Sequence, residues 1–502
     1  MDYGLNFLRF GPLIPPGDHP YPFSAFLALP LALSAPAPEQ IAARSIDPKT
    51  GTEVELRVTE HPGNLLPPRR MNVALALVTL LLAGTVIARR FGTWVGFGFF
   101  ALGTIDPGWI AQARFATTDI AHGSSFVLGA LAIDQFRATG RWRWTIAAGL
   151  ACALGMSAKF SGIILIPGAF AVALFPGDDP EPIVARLRKA TLAAFITMVV
   201  GVAAYISLFF VHGVLGLAPL GSGASHLSMA MESFVKIRSM ARGTFLLGQF
   251  HPDGTWMYFP ILLAAKTPLA LWAVALSSLA TAEGRRLLVR HGPLFMIPLL
   301  YLIVAMGSGV NLGHRHLTPV LFGFWLAGSL GLVGLARTLP IGRLAAVGAV
   351  ALVTLESGFA HPHYLPFTNA AFGGIDGAHK VAVDSASDWG QDLPNLRAWL
   401  TTNHQGAQVH LAYFGTADPA ALGIPHIWRP CGTLGRPRPR GAPAADCRSP
   451  AKILAVSATC LQGSAGGSQR NDCYDWLRDR TPAAILGGSI LVYQDAVLND
   501  SQ

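Results

Sequence analysis

A chain of 502 residues with 52% hydrophobic and only 13% charged side chains is too apolar for an ordinary water-soluble fold. In such a chain the excess of 37 Lys+Arg over 28 Asp+Glu, formally +9, is a signal of membrane topology and not of nucleic-acid binding. Mean hydropathy is +0.44, yet the last third is ordinary in polarity, so a soluble end offsets a much more apolar middle.

Taken in chain order, the first 33 residues lack the pattern of a cleavable signal peptide. Asp2, Arg9, Asp18 and five prolines precede the only apolar run, Phe23 to Leu33. That run is too short to span a bilayer and suits an interfacial or re-entrant segment. Ten longer apolar stretches follow, each enough, or nearly so, to cross about 30 Å of hydrocarbon. They are 72–88, 92–110, 120–136, 144–158, 160–175, 190–212, 257–280, 293–307, 317–336 and 344–360. The fourth and fifth are separated only by Lys159, as a tight hairpin or one kinked helix. The expected division is an extracytoplasmic segment 1–70, a transmembrane domain 71–360, and an extracytoplasmic α/β domain 361–502.

Orientation follows from the loops. Basic clusters at Arg89-Arg90, Arg137/Arg141/Arg143, Arg186/Arg188/Lys189, Arg285/Arg286/Arg290 and Arg337/Arg343 come after alternate spans, which assigns those loops to the cytoplasm. The loops 111–119, 213–256 and 308–316, the turn at 159, and everything after 361 then lie outside. Ten spans put the N-terminus outside as well, so an earlier membrane helix is expected upstream. No repeat of 20 to 50 residues and no matched pair of interrupted helices is visible, which lowers the case for a transporter.

In the polar end, Val409–Phe414, Ile453–Val456 and Ile485–Tyr493 read as strands, Leu393–Leu400 and Tyr474–Arg478 as helices, and Gly432–Pro450 as a loop. Asp392 is placed to cap the first helix, with Pro394 in its first turn. Cys152 lies in an apolar run, whereas Cys431, Cys447, Cys460 and Cys473 fall in the polar end. Facing an oxidising space, those four allow three complete pairings and suggest one or two disulfides; the alternative is free thiols.

Ionisable groups at membrane edges are informative, because each costs roughly 2.5–3.5 kcal/mol at mid-membrane unless paired, solvated or used. Asp106, Arg114, Asp119 and His122 surround the turn Thr104–Gly123. Asp119 directly precedes a span, so its carboxylate sits at a helix N-terminus as a general base, a metal ligand or simply a cap. A second group is cationic: Lys159, Lys236, Arg238, Arg242, Lys266, His314, Arg315 and His316. Lys266, inside an apolar run, calls for an anionic partner. Singly such residues snorkel to head groups; together they suit a phosphate, and lipid phosphate is available at that depth. Trp256, Tyr258 and Phe259 form an interfacial belt or line a cavity. His361 and His363 have no evident partner set, so no metal site is assigned. A Walker loop, a dinucleotide fingerprint and a serine nucleophile elbow are all absent from the sequence.

Several stretches resemble glycosyltransferase family 39, the protein O-mannosyltransferase-like polytopic enzymes that use lipid-phosphate-linked sugars. They are Asp106-Pro107, Thr117-Thr118-Asp119, Ala158-Lys159-Phe160-Ser161-Gly162, and His251 to Pro260 with Lys266-Thr267-Pro268. The most specific are Gly313-His314-Arg315-His316-Leu317-Thr318-Pro319 and Asp384-Ser385-Ala386-Ser387-Asp388-Trp389-Gly390-Gln391-Asp392-Leu393. The resemblance implies an α-helical polytopic membrane protein of GT-C-like fold with a C-terminal α/β extracytoplasmic domain, in the plasma (inner) membrane. It also implies inverting transfer of a sugar from a polyprenyl-phosphate donor to an unknown acceptor on the outer face.

In that reading a carboxylate deprotonates the acceptor while cations stabilise the departing lipid phosphate. Asp119 matches the second of two acidic positions, with Asp106 in the same turn. Lys159, Lys266, Arg315 and His314 fall to the lipid phosphate, and Trp256, Tyr258, Asp388 and Gln391 to substrate. The first acidic position of such enzymes follows an initial helix, and Asp2 and Asp18 do not match it. Expected partners are a polyprenyl-phosphate-linked sugar and membrane lipid, without nucleic acid; the cofactor is unassigned, with a divalent metal ion as the candidate. The rival expectations are an inactive scaffold that binds lipid-linked sugar, and a lipid transporter.

Overall fold

The computed structural model describes residues 22–24, 26–27, 65–177, 180–214, 243–415, 417–431, 445–465 and 469–496. Asp2, Asp18, Lys236, Arg238, Arg242, most of Phe23–Leu33 and most of Gly432–Pro450 lie outside the described residues.

Among the described residues the apolar runs are built of helices. In chain order the helices are Leu66–Phe91 (α1), Thr93–Ile105 (α2), Pro107–Ala113 (α3), Asp119–Thr139 (α4), Arg143–Ala158 (α5), Leu165–Ala173 (α6) and Ile183–Val214 (α7). Tyr258–Lys266 (α8), Leu269–Ala280 (α9), Ala282–His291 (α10), Met296–Ser308 (α11), Thr318–Thr338 (α12) and Gly342–Phe359 (α13) complete the series. Five stretches among the described residues are long and apolar enough to cross a membrane unaided, and a sixth results when α8 and α9 count as one broken span. The protein is thus a multi-pass membrane protein.

Several of the ten predicted runs are interrupted, for a local reason. The run 92–110 breaks at Asp106 and the run 257–280 breaks at Thr267, each directly before a proline. A residue preceding proline is driven out of the helical region, and both adopt extended backbone, with ψ 118° at Asp106 and 131° at Thr267.

The chain divides into two compact units. The first comprises Met1–Ile237, Leu269–Ala305 and His316–Ser357; the second comprises Arg238–Pro268, Met306–Arg315 and Gly358–Gln502. The break foreseen at 361 therefore falls close to one of several crossings, and two segments assigned to the membrane domain, 238–268 and 306–315, group with the C-terminal part.

In the first unit α4 is the central helix, packed against α1, α5, α6 and α12 and buried along most of its length. Glycines permit the closest helix contacts. A side chain at Gly96 in α2 would collide with the backbone of Gly84 in α1. Phe23 and Leu27 of the short N-terminal run are buried with Ala121 and Ala158, against Met71, Leu75 and Leu154.

The second unit contains a two-stranded hairpin, Thr244–Leu246 (β1) and Gln249–His251 (β2), and a five-stranded sheet. The sheet strands are Val409–Ala412 (β3), His426–Trp428 (β4), Ala451–Ser457 (β5), Ala484–Leu486 (β6) and Ile490–Ala496 (β7), in the order β4-β3-β5-β7-β6. β3 runs parallel to both β4 and β5, while β7 is antiparallel to β5 and β6. Alternation along β5 supplies both cores: Ile453 and Ala455 pack with Leu393, Leu396 and Leu400 of helix Leu393–Asn403 (α15), which follows helix Gly374–Val381 (α14). Leu454 and Val456 face Leu461, Tyr474 and Leu477.

The predicted strand 485–493 is in fact the β6–β7 hairpin, because Gly487 and Gly488 adopt φ of 57° and 82° and turn the chain. β4 carried no strand expectation, and the predicted helix Tyr474–Arg478 shrinks to one 3-10 turn, Asp475–Leu477. Asp392 does occupy the N-cap position of α15, but its carboxylate makes no capping bond. It accepts instead from Ser489 Oγ and Asn395 Nδ2, both at 2.6 Å.

Two disulfides, Cys431–Cys460 and Cys447–Cys473, staple the face of the sheet that carries Leu454 and Val456, while Cys152 is a free, buried thiol. Replacing both Cys447 and Cys473 by Ser is expected to lower unfolding free energy by about 2–4 kcal/mol, read by chemical denaturation of the purified protein.

Candidate functional site

In the first unit the acidic residues of the 104–123 turn have different surroundings. Asp106 is 2% exposed and engaged on both oxygens: Oδ1 accepts from Trp109 N at 2.9 Å and caps α3, and Oδ2 accepts from Trp325 Nε1 at 3.0 Å. This carboxylate holds the break between α2 and α3 together. Asp119 opens α4 and forms a buried ion pair with Lys159, the residue at which α5 ends. Lys159 leaves the helix in extended conformation (φ −149°, ψ 142°).

Three and four residues along a helix lie on one face, so His122 stands beside Asp119. His122 Nε2 lies 2.8 Å from Ser161 Oγ. The stretch Ala158-Lys159-Phe160-Ser161-Gly162 is therefore laid along the first turn of α4, with Lys159 meeting Asp119 and Ser161 meeting His122. Gly162 has to be glycine there, since a Cβ would strike the Gly155–Met156 backbone. Tyr301, which carried no expectation, stands edge-on to both His122 and Phe126 at ring separations of 5.5 and 5.0 Å. Arg114, expected in the same cluster, is exposed.

The second unit gathers Lys266, His314, Arg315 and Tyr258. Lys266 is 4% exposed at the end of α8, and its ammonium donates to the carbonyl oxygens of Leu365 (2.8 Å) and Phe367 (3.0 Å). The anionic partner expected for it is replaced by peptide dipoles; no carboxylate pairs with Lys266 among the described residues. Asn369 keeps those carbonyls in place, since its Nδ2 donates to Ala264 O and Thr267 O at 2.7 and 2.9 Å, and its N–H donates to Ala265 O.

His314 is 2% exposed, close enough to feel the Lys266 charge, and its Nε2 has no hydrogen-bond partner. Arg315 donates Nε to Leu312 O at 3.1 Å and stands over the Trp389 ring at 5.4 Å. Tyr258 is 1% exposed with its hydroxyl accepting from Gly313 N at 3.0 Å, whereas Trp256 is 61% exposed. His363 Nδ1 lies 3.7 Å from Asp392, and no group of three or more His, Cys, Asp or Glu is assembled among the described residues.

The loop 384–392 docks at the carboxyl ends of the parallel strands β3 and β5. Asp388 is fully buried, with Oδ2 accepting from Thr459 N at 3.0 Å and Oδ1 from Gly390 N at 3.1 Å. Gln391 spends its amide inside the loop, donating to Ser387 O at 3.0 Å and accepting from Trp389 N at 2.7 Å. Both residues, expected to contact substrate, have side chains committed to shaping the loop. Asp384 carries a left-handed φ of 55°, and its N–H donates to Thr459 Oγ1 at 3.0 Å. Trp389 Nε1 donates to Ser385 Oγ at 2.9 Å.

Residues 64–206 match the sequence pattern of the family described as dolichyl-phosphate-mannose-protein mannosyltransferase, a membrane glycosyltransferase family. Among solved structures, ArnT from Cupriavidus metallidurans in the apo state superposes with a TM-score of 0.45 at 14% identity, over 98% of this chain and 91% of that one. ArnT from the same organism bound to undecaprenyl phosphate gives 0.38 at 14% identity, over 85% and 83%. No curated protein sequence matches the chain.

Burial pushes the Asp388 carboxyl up to about 7 against the opposing pull of the Thr459 and Gly390 N–H groups. A carboxyl raised in the folded state binds protons that the unfolded chain has released, so folding stability falls as pH rises from about 4 to about 7 and levels off above. Asp388→Asn is expected to flatten that slope, read by chemical denaturation across this pH range.

Proposed function

We propose that the protein transfers a sugar, with inversion, from a polyprenyl-phosphate donor to an acceptor hydroxyl on the outer face of the plasma (inner) membrane. The observation that carries this reading is the pairing of Lys266 with His314. An ammonium has three N–H donors, and Lys266 uses two on carbonyl oxygens that bear no net charge. The remaining donor and the unpartnered ring nitrogen of His314 suit an anion that brings its own charge to a membrane-level position, and a lipid phosphate meets that description. The pattern over residues 64–206 supports the same donor class, because the family's description names a polyprenyl-phosphate-linked sugar.

In the proposed step Asp119 accepts the proton of the acceptor hydroxyl as its oxygen attacks the anomeric carbon. The bond from that carbon to the phosphate oxygen breaks, and the lipid phosphate leaves with both bonding electrons. A single displacement inverts the anomeric configuration. Lys159 supplies a counter-charge to Asp119, and cations offset the charge that develops on the phosphate. The basic clusters favour an outer location for the loops that carry these residues. Two disulfides in the second unit agree with an oxidising compartment.

The full chain, purified into lipid bilayer discs and given a panel of polyprenyl-phosphate sugars with candidate acceptors, is expected to release polyprenyl phosphate. Asp119→Asn should lower that release by about 10²–10⁴-fold while donor binding persists, and Lys266→Met should weaken binding of polyprenyl phosphate itself. Undiminished turnover in the Asp119 variant overturns the assignment, and lipid movement between leaflets with no glycosidic bond broken replaces transfer with transport.

A further inference from the structure

The short helix α10 presents an outward face that neither the packing of the first unit nor the proposed transfer uses. Its ends are well defined: Thr281 caps the start by accepting from Gly284 N at 3.2 Å, Glu283 stands in the first turn, and Arg290 and His291 stand in the last. Gly284, Leu287 and His291 recur at helical spacing and are buried. Both ends are tied to other helices of the same unit. Glu283 pairs with Arg337, in the last turn of α12, at 2.6 Å, and the His291 ring lies 3.7 Å from that of Phe91, the last residue of α1.

The opposite face of α10 carries Arg285, Arg286, Val289 and Arg290, all exposed. The Arg286 side chain is 80% exposed and Val289 83%. The turn from α12 to α13, joined to α10 through Arg337, repeats the mixture, with Arg337 and Arg343 beside exposed Ile341 and Leu344. Residues 282–291 and 337–344 together hold five arginines, one glutamate and no lysine.

A face turned only to water has no use for exposed branched aliphatic side chains, and an apolar protein contact is not ringed by arginines. The mixture fits the boundary of a bilayer, where guanidinium groups meet phosphates and aliphatic side chains reach past them toward the acyl chains. Depth agrees. Leu276 and Leu279, on the span α9 that leads into α10, are each more than half exposed, as side chains facing acyl chains are. Arg285 donates to the last carbonyls of that span, those of Leu279 at 2.9 Å and Ala280 at 3.2 Å, so α10 begins where the lipid-facing surface of α9 ends. Charge then selects the lipid. A planar guanidinium meets a phosphodiester through two N–H groups, and five arginines against one glutamate favour a headgroup of net negative charge over a zwitterionic one.

We propose that α10 and the α12–α13 turn form a binding site for an anionic phospholipid of the leaflet that the basic clusters assign to the cytoplasmic side. The site is separate from that of the lipid-linked donor and stands whether or not the chain transfers a sugar.

The full chain, purified in a non-ionic detergent, is titrated with phosphatidylglycerol and with phosphatidylcholine of the same acyl chains, and bound lipid is read by native mass spectrometry. Wild type is expected to bind phosphatidylglycerol at least about tenfold more tightly, and by linkage to unfold at a higher temperature in its presence. Arg286→Gln combined with Arg290→Gln should weaken phosphatidylglycerol binding by about fivefold for each arginine removed, leaving phosphatidylcholine binding unchanged. Lysine at both positions should keep most of the affinity. Each glutamine variant is also measured alone, so that a misfolded double variant does not end the test. Arg141→Gln combined with Arg143→Gln, in another exposed basic loop, should leave binding unchanged.

Equal binding of the two lipids by wild type overturns the proposal and leaves the face to an acidic protein. Undiminished preference in the Arg286 and Arg290 variants overturns it as well. An equal loss from the Arg141 and Arg143 variant also overturns it, because the charge is then collected over all the basic loops and not at α10.

Discussion

Charge removed from water in a low-dielectric interior has to be matched by an opposite charge, by aligned dipoles or by a ligand. The arrangement of both units follows from how that requirement is met at a few positions. Asp119 and Lys159 are forty residues apart in sequence and form a direct ion pair. Asp134 is handled similarly, accepting two bonds from Arg137 at 2.9 and 2.6 Å with Arg90 close by at 3.6 Å. Lys266 is the exception, because it is surrounded by carbonyl dipoles and not by a carboxylate. Dipoles solvate an ammonium without neutralising it, so this position retains a demand for an anion that the paired positions do not have.

The breaks in the apolar helices supply the groups that meet this requirement. Proline after Asp106 ends α2 and starts α3, and the freed N–H of Trp109 is capped by the same aspartate that receives the Trp325 indole. Proline after Thr267 ends α8, and the carbonyls left open there are bonded by Asn369, which in turn fixes the backbone that surrounds Lys266. Local breakage and buried charge are thus solved together: each interruption frees backbone groups, and those groups or the residues that satisfy them hold an ionic side chain in place.

The sheet of the second unit shows a related economy. With strand order β4-β3-β5, the chain reverses its direction of progress between β3 and β5, and the crevice at the carboxyl ends of such strands is where α/β sheets usually receive ligands. Here that crevice receives the protein's own loop 384–392, bound through Asp388, Tyr413 and Thr459. The loop is held firmly enough to keep Asp384 in a left-handed conformation that a non-glycine residue rarely adopts. Its anchored position brings Trp389 against Arg315, so a motif read as substrate-binding is in large part a device for fixing the geometry of an arginine.

Composition and periodicity by themselves determined the helical membrane-spanning character, the α/β character of the last third, and the positions of β3, β5 and α15, because each depends on runs of neighbouring residues. The ionisable residues that matter were also visible, since a lysine or aspartate in an apolar run is conspicuous wherever it points.

Which residues meet was set by the packing of the chain. Asp119 with Lys159, Lys266 with the carbonyls of residues 365 and 367, Asp388 with Thr459 and the two cysteine pairings are all contacts between distant parts of the chain. The physical reason is that charge and hydrogen-bonding capacity belong to a residue, whereas their satisfaction belongs to a pair, and pairs form only when the chain has packed.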